Sequence, residues 1–317
     1  MKESPVLVKV IHVLKEYTLC DRCLGRLYAR RGLSLDNKLR GIAIKTLLTM
    51  YAREIAESVS REELMSIAKN IMFKPFVETL VKQGLLEEKA IENQNNIKCY
   101  ICGGNLDEML NLYFNKVQEA LRDYEVERFI VGVKAPHDII KREEELVRRY
   151  KFEHAESIKN EIKREIGKRL IKSSNLKVDF ENPQIVILID LETRTIHVEV
   201  KPLLIRGRYL KLGRNISQSK WITRYGMPRT DISIAGILET LCGLTGANEL
   251  KIHAAGREDL DVRMLGLGRP LIIELKNPVK RKINLKKLEN HVNEQSEFVK
   301  IMLEYETSRK DETNIKM

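Results

Sequence analysis

Two Cys-x-x-Cys pairs set far apart do more than any other feature to limit how this chain folds. Cys20-Asp21-Arg22-Cys23 and Cys99-Tyr100-Ile101-Cys102 are separated by about 75 residues, and Gly103-Gly104 follows the second pair. Each pair can turn both sulfurs toward one point, so together they supply the four thiolates of a tetrahedral structural zinc site. The separation is longer than in a zinc ribbon, so the fold itself must bring the pairs together. Redox Cys-x-x-Cys motifs come singly at the start of a helix, and disulfides are disfavoured inside cells except in hyperthermophiles. Structural zinc on Cys20, Cys23, Cys99 and Cys102 is the expectation. Cys242, alone within residues 237–242, reads as a core residue.

Around these knuckles the pattern is helical. Helices are expected over 4–17 and over 36–56, where Leu39, Ile42, Ile44, Leu47, Leu48 and Ala52 recur at helical spacing. Ser60-Arg61-Glu62-Glu63 is a capping box opening a helix through Met72, and a further helix covers 74–83 and stops at Gly84. Residues 87–98 read as a polar loop feeding the second knuckle. Beyond them the pattern changes to a helix at 106–122, a strand at 128–133 and one long charged helix over 139–171. In that helix Ile158, Ile162, Ile166 and Leu170 recur every four residues. Strands at 184–190 and 195–200 follow, a mixed sheet with helical cover.

From Pro202 the chain turns basic. Residues 206–221 carry five cations, Tyr209 and the single Trp221. Cations pair with phosphates and aromatics stack on unpaired bases, so Arg206, Arg208, Tyr209, Lys211, Arg214 and Trp221 are candidate RNA contacts. The bland reading is an amphipathic edge strand with a solvated basic face. A net charge of +11 agrees with a polyanionic partner, because Lys and Arg release counterions from phosphates. A helix at 233–244 and a strand at 249–254 lead to the densest chemistry in the chain, residues 255–278. There Arg257, Glu258, Asp259, Asp261 and Arg263 cluster behind Gly256, ahead of an apolar strand. Consecutive charges break the strand pattern and suggest a site held at a strand end; on composition alone a solvated turn before a hairpin fits equally.

This segment resembles the catalytic motif of the archaeal and eukaryotic tRNA pseudouridine synthase family that carries an N-terminal THUMP-type domain. The matching residues are Gly256-Arg257-Glu258-Asp259-Leu260-Asp261-Val262-Arg263, then Gly268-Arg269-Pro270 and Ile273-Glu274-Leu275-Lys276-Asn277-Pro278. The stretch Gly207-Arg208-Tyr209 through Trp221 is similar to the family's first catalytic-domain motif. The resemblance implies an α+β chain with a helical zinc-clamped region at 1–104 and a THUMP-like RNA-binding domain at 105–200. A partial pseudouridine-synthase mixed-sheet domain would follow at 201–317. It further implies isomerisation of T-loop uridines 54 and 55 of tRNA, with Asp259 as nucleophile at C1′, Arg257 as a phosphate or orienting contact and Asp261 and Arg263 in support. Zinc would be structural, and no catalytic cofactor is implied.

In that family a further stretch beyond the Asn-Pro strand supplies a stacking tyrosine and a basic partner for the aspartate. Here residues 276–317 read as a charged segment with only Phe298 and Tyr305 as aromatics. Three readings stay open: the sequence is a fragment of a longer chain, a second polypeptide completes the site as a partner, or the protein is a non-catalytic paralogue. A non-catalytic tRNA-binding paralogue or fragment of the family is the alternative function. From the residues alone a metal-dependent nuclease is a remote alternative: Asp259 or Asp261 with Glu274-Leu275-Lys276 matches a loose Asp…Glu-x-Lys pattern, and chelator sensitivity would distinguish it. No run approaches the ~18 apolar residues of a membrane span. Residues 6–14, interrupted by Lys9, read as a helix and not a signal peptide. The expected location is cytoplasmic, with no membrane partner.

Overall fold

Side-chain caps fix where the N-terminal helices start. In the computed structural model, which describes residues 5–92, 97–104, 106–220 and 230–309, α1 (Pro5–Glu16) leads to α2 (Asp21–Arg26), whose N-cap is Cys20. Asp36 caps α3 (Asn37–Met50) by accepting from Leu39 N at 2.7 Å. α4 (Ala52–Ser58) precedes α5 (Arg61–Asn70), where Ser60 and Glu63 form the expected capping box through bonds of 3.2 and 3.0 Å. α6 (Lys74–Lys82), a short α7 (Lys89–Glu92) within the expected loop, and α8 (Leu106–Leu121) complete the run.

The single helix expected over 36–56 is broken at Tyr51, and its expected apolar row is only partly buried: Leu48 and Ala52 are inside, but two cations share the buried face with them. Leu39 and Leu47 are 50% and 39% exposed, while Arg40 and Lys45 are buried. Polar partners decide this. Lys45 Nζ donates to Leu19 O at 2.9 Å and pairs with Asp21 at 2.7 Å, and Arg40 donates to the carbonyls of Arg31 and Leu35 at 2.7 Å each. At the α2–α3 crossing a Cβ on Gly25 would collide with the Asn37 carbonyl, so only glycine allows the approach.

β1 (Arg128–Lys134) is followed by α9 (His137–Arg149) and α10 (Ile158–Ser173). The one long helix expected over 139–171 is thus two. Lys151 turns the backbone left-handed at φ +51, Phe152 is buried, and Ser157 Oγ accepts from Asn160 N at 3.3 Å to restart the helix. The expected row Ile158, Ile162, Ile166 and Leu170 is fully buried. β2 (Lys177–Val178), β3 (Ile185–Asp190) and β4 (Thr195–Val200) join β1 in a sheet of order β2-β1-β3-β4, with β1 and β2 parallel.

Two compact units emerge. The first comprises Met1–Val117, Val131–Lys172 and Leu188–Ile196; the second comprises Gln118–Ile130, Ser173–Ile187 and His197–Met317. In the second unit β5 (Leu203–Lys211) and the short β6 (Ile216–Ser217) and β7 (Ile232–Ser233) precede α11 (Ile234–Leu238) and α12 (Thr240–Thr245). β8 (Glu249–Ala254), β9 (Met264–Lys276), α13 (Leu285–Asn293) and β10 (Val299–Glu306) follow. The second sheet has order β10-β5-β9-β8, so β5 is interior and not the edge strand of the bland reading. Its register opposes Leu204 to Glu274 and Tyr209 to Arg269, then jumps so that Lys211 faces Met264. Leu203, Ile205 and Tyr209 of β5, with Ile273 and Leu275 of β9, pack on Leu238, Leu241, Leu288 and Val292 of the helices. The 276–317 segment, read from sequence only as charged, thus contributes a helix and a strand to the core. Among the described residues no helix is long and apolar enough to cross a membrane.

Candidate functional site

The four cysteines meet. Their sulfurs all lie within 4.8 Å of one another, and Cys20 Sγ is 3.9 Å from Cys102 Sγ. Sulfurs about 2.3 Å from one tetrahedral ion stand roughly 3.8 Å apart, so the cage fits zinc. Local geometry turns each knuckle inward: Cys20 Sγ accepts from Cys23 N at 3.5 Å, and Gly103 N donates to Cys99 O at 2.9 Å. Sharing hydrogens with Cys102, Cys23 and Cys99 and being buried, Cys20 is pushed well above the usual thiol range. A dication reverses that balance, because coordination deprotonates a thiol. All four sulfurs are free rather than bonded in pairs. Arg26, fully buried, donates to Cys23 Sγ at 3.5 Å and pairs with Glu143. Among the described residues this is the one group of three or more His, Cys, Asp or Glu side chains placed to share an ion.

The charged motif forms the loop between β8 and β9, and it is pinned from below. Lys211 Nζ, fully buried, donates to the carbonyls of Asp259 at 2.8 Å, Leu260 at 3.0 Å and Ile216 at 3.1 Å. Burial pushes this amine down from the ordinary lysine range, and the charges of Glu258, Asp261 and Asp259 pull it back. Beside it Glu258, its side chain only 5% exposed, pairs with Arg269 Nε at 2.9 Å and accepts from Tyr209 Oη at 2.7 Å. Gln218 Nε2 donates to Tyr209 Oη at 2.9 Å and to Gly256 O at 3.1 Å. Burial, with the bond to Glu258, pushes the Tyr209 phenol well up, so it stays a donor. Gly268 holds φ +73 where a Cβ would meet Tyr209 O at 2.7 Å, which lets the returning strand close on β5.

Asp259 itself is exposed: its backbone is held while its carboxylate faces solvent. Arg257, Asp261 and Arg263 are exposed on the same loop, as is Arg214. On β5 the side chains alternate, and this corrects two assignments. Arg206 and Arg208 stand on one face, paired with Glu304 at 3.3 and 2.9 Å, and Arg206 lies 5.9 Å from the Tyr305 ring. Tyr209 and Lys211, expected to touch RNA, point the other way and are fully buried beneath the loop. There they bond Glu258 and the loop's backbone carbonyls and face no open surface. Trp221 lies outside the described residues. The roles of Glu258, Gln218 and Arg269 were missed, because each depends on a partner tens of residues away.

The nuclease geometry is not assembled. Glu274 bonds His253 at 2.8 Å and Arg309 at 3.0 Å, opposite Leu204. Leu204 is seven strand positions from Lys211, roughly 23 Å from the Asp259 loop at about 3.3 Å per residue. Two acids so far apart cannot share one magnesium ion.

Removing the buried amine checks the pinning. Lys211→Met keeps the stem but leaves three carbonyls unpaired, so a loss on the order of 3 kcal/mol is expected in urea unfolding. A variant within about 0.5 kcal/mol of wild type would show that the amine does not hold the loop.

Comparison with known proteins covers both halves of this description. The model of the archaeal Pus10 THUMP domain matches residues 113–190, and that of the Pus10 C-terminal region matches 204–317, together more than half of the chain. A tRNA pseudouridine synthase Pus10 of Ignisphaera aggregans is 37% identical over 92% of this chain and 67% of its own length. The proteins of the same name from Thermosphaera aggregans and Aeropyrum pernix are 37% and 39% identical, over 97% and 92% of this chain and 69% and 65% of their own lengths. The chain spans about two thirds of the relatives it matches, and with both family models in register along it, it belongs to the Pus10 family.

Proposed function

We propose that this chain is a tRNA pseudouridine synthase in which Asp259 acts at the anomeric carbon of T-loop uridines 54 and 55. The observation that carries the reading is the loop itself: Asp259 has its carbonyl bound by a buried lysine while its carboxylate stays exposed, inside the stretch matching the Pus10 C-terminal region. Isomerisation breaks the N1–C1′ bond, turns the base and rejoins it through C5. A carboxylate either adds to C1′ or assists a glycal intermediate, chemistry akin to a retaining glycosidase. The uridine must first leave its stack, which costs a few kcal/mol. Arg257 serves as a phosphate or orienting contact, and Asp261 and Arg263 support the loop.

In this reading residues 1–104 form the zinc-clamped region, 105–200 the THUMP-like RNA-binding domain and 201–317 the synthase part. Zinc is the ion of the cysteine cage, where it holds the fold and takes no part in the reaction. A tRNA substrate agrees with the expected cytoplasmic location. The relatives are about half as long again as this chain. The stacking and basic partners of Asp259 would come from that remaining length, on the same or a second polypeptide. The test is conversion of T-loop uridines in an unmodified transcript, read by carbodiimide primer extension. Conversion at 54 or 55 supports the reading. Tight tRNA binding without conversion, even with the remaining third supplied, turns it to the non-catalytic alternative.

The basic face of β5 gives a separate expectation. Arg206→Gln/Arg208→Gln should weaken tRNA binding and lower the salt slope by one to two units, because each lost phosphate contact removes close to one. An unchanged slope would put the RNA on another face.

A further inference from the structure

Arg281 is a cation that the proposed chemistry does not use. The backbone before it is tied down: Val279 N and Lys280 N both donate to Thr245 O at 2.9 Å, and Glu125 N donates to Val279 O at 2.8 Å. Its side chain is only 8% exposed, and Nε and Nη2 are both buried without a hydrogen-bond partner among the described residues. A guanidinium in that condition is destabilising unless something pairs with it. Burial pushes its pKa down to about 10; Arg128 pushes the same way, and Glu306 opposes.

The group lines a cavity of about 660 Å³ within the second unit, together with Arg128, Lys201, Arg309, Glu181 and Glu306. Four cations face two acids. Three of the four are already engaged: Arg309 with Glu274 at 3.0 Å, Lys201 with Glu199 at 2.5 Å and Arg128 with Asp179 at 3.9 Å. Arg281 makes no ion pair among the described residues. A planar fork of donors at the wall of a roomy cavity, paired with no carboxylate among the described residues, suits a tetrahedral oxyanion bound through two oxygens. Leu204 also lines this cavity, so it lies at the opposite end of β5 from Lys211 and the Asp259 loop.

We propose that the Arg281 cavity is an anion site that takes a backbone phosphate of the RNA this chain binds, as an anchor separate from Asp259. The proposal rests on the RNA-binding reading above. Supporting that source are the net charge of +11 and a lining drawn from both stretches matched by the Pus10 models. The two points stand roughly 23 Å apart along β5. The anchor would therefore hold the RNA backbone roughly 23 Å from the target uridine and set its register.

The experiment compares the whole chain with its Arg281→Met variant in two arms. In the first, melting is followed as inorganic phosphate is added. Wild type should be stabilised and the variant should not respond, while the variant without phosphate should melt no lower than wild type, since an unpaired buried charge has been removed. In the second, tRNA binding is titrated at several salt concentrations. The variant should bind about tenfold more weakly, with the slope reduced by close to one unit. If Arg281→Met does not fold, Arg128→Gln/Lys201→Gln on the rim must lower both the stabilisation gained from phosphate, measured against its own phosphate-free melt, and the tRNA affinity. Unchanged tRNA affinity and slope overturn the proposal. A phosphate response that needs Arg281, without any effect on tRNA, also overturns it and assigns the cavity to a small phosphorylated ligand. Wild type that binds no tRNA defeats the RNA-binding reading itself, and the phosphate arm then decides separately whether Arg281 holds an anion.

Discussion

Asp259→Asn is expected to abolish pseudouridine formation, by at least about a thousandfold, while tRNA affinity changes less than about twofold. Three decades of rate correspond to about 4 kcal/mol of lost transition-state stabilisation. The amide keeps the size of the side chain but cannot act as an anionic nucleophile at C1′, so the loss falls on the transition state alone. The structure makes this substitution clean. The loop is held through the backbone carbonyls of Asp259 and Leu260 and through the buried Glu258–Arg269 pair; the exposed Asp259 carboxylate bonds to none of these, and its charge is the smallest of the three that steady the Lys211 ammonium. Asp261→Asn should be milder. Glu258→Gln differs in kind, because it leaves Arg269 facing a neutral group in a buried site and should show in stability before it shows in chemistry. The measurement is time-resolved conversion of T-loop uridines, under conditions where wild type is active, beside tRNA titrations. Equal rates for wild type and Asp259→Asn would sink the nucleophile assignment.

The cysteine cage and the charged loop were legible because their signals are local: ligand spacing in one, consecutive charges between glycines in the other. What misled was residue type taken without position. Lysine is usually solvated, so residue type alone points Lys211 toward RNA. Yet Leu203, Ile205, Tyr209 and Lys211 share one parity of β5, and Arg206 and Arg208 share the other. That alternation was in the sequence and would have put Lys211 under the loop. The same oversight hid β10, where Val299, Ile301 and Leu303 alternate, and α13, where Leu288 and Val292 sit one turn apart. Other features could not be read. Lys45 and Arg40 turn inward because Asp21 and distant carbonyls wait there. Nothing like proline or glycine marks the break at Lys151, although Ser157 offered a cap.

Stripping the metal should cost the first unit its structure, and the substitution Cys20→Ser/Cys99→Ser should do the same. Cys23, Cys99 and Cys102 are buried, and four thiolates cannot be held so close without a cation between them. Fully buried Arg26 depends on the same centre, donating to Cys23 Sγ while paired with Glu143. Structural zinc contributes about 10–16 kcal/mol in zinc-finger peptides, the size of a whole domain's stability. Even about 4 kcal/mol of that would lower Tm by roughly 8–16 °C for a unit of this size. The expected results are one zinc per chain by elemental analysis and a cooperative melt that shifts down by at least about 10 °C after chelation. Thiolate coordination displaces protons, so apparent affinity should also fall as pH is lowered. A metal-free protein after zinc-replete expression, or a double serine variant melting with wild type, would show that packing alone closes the knuckles.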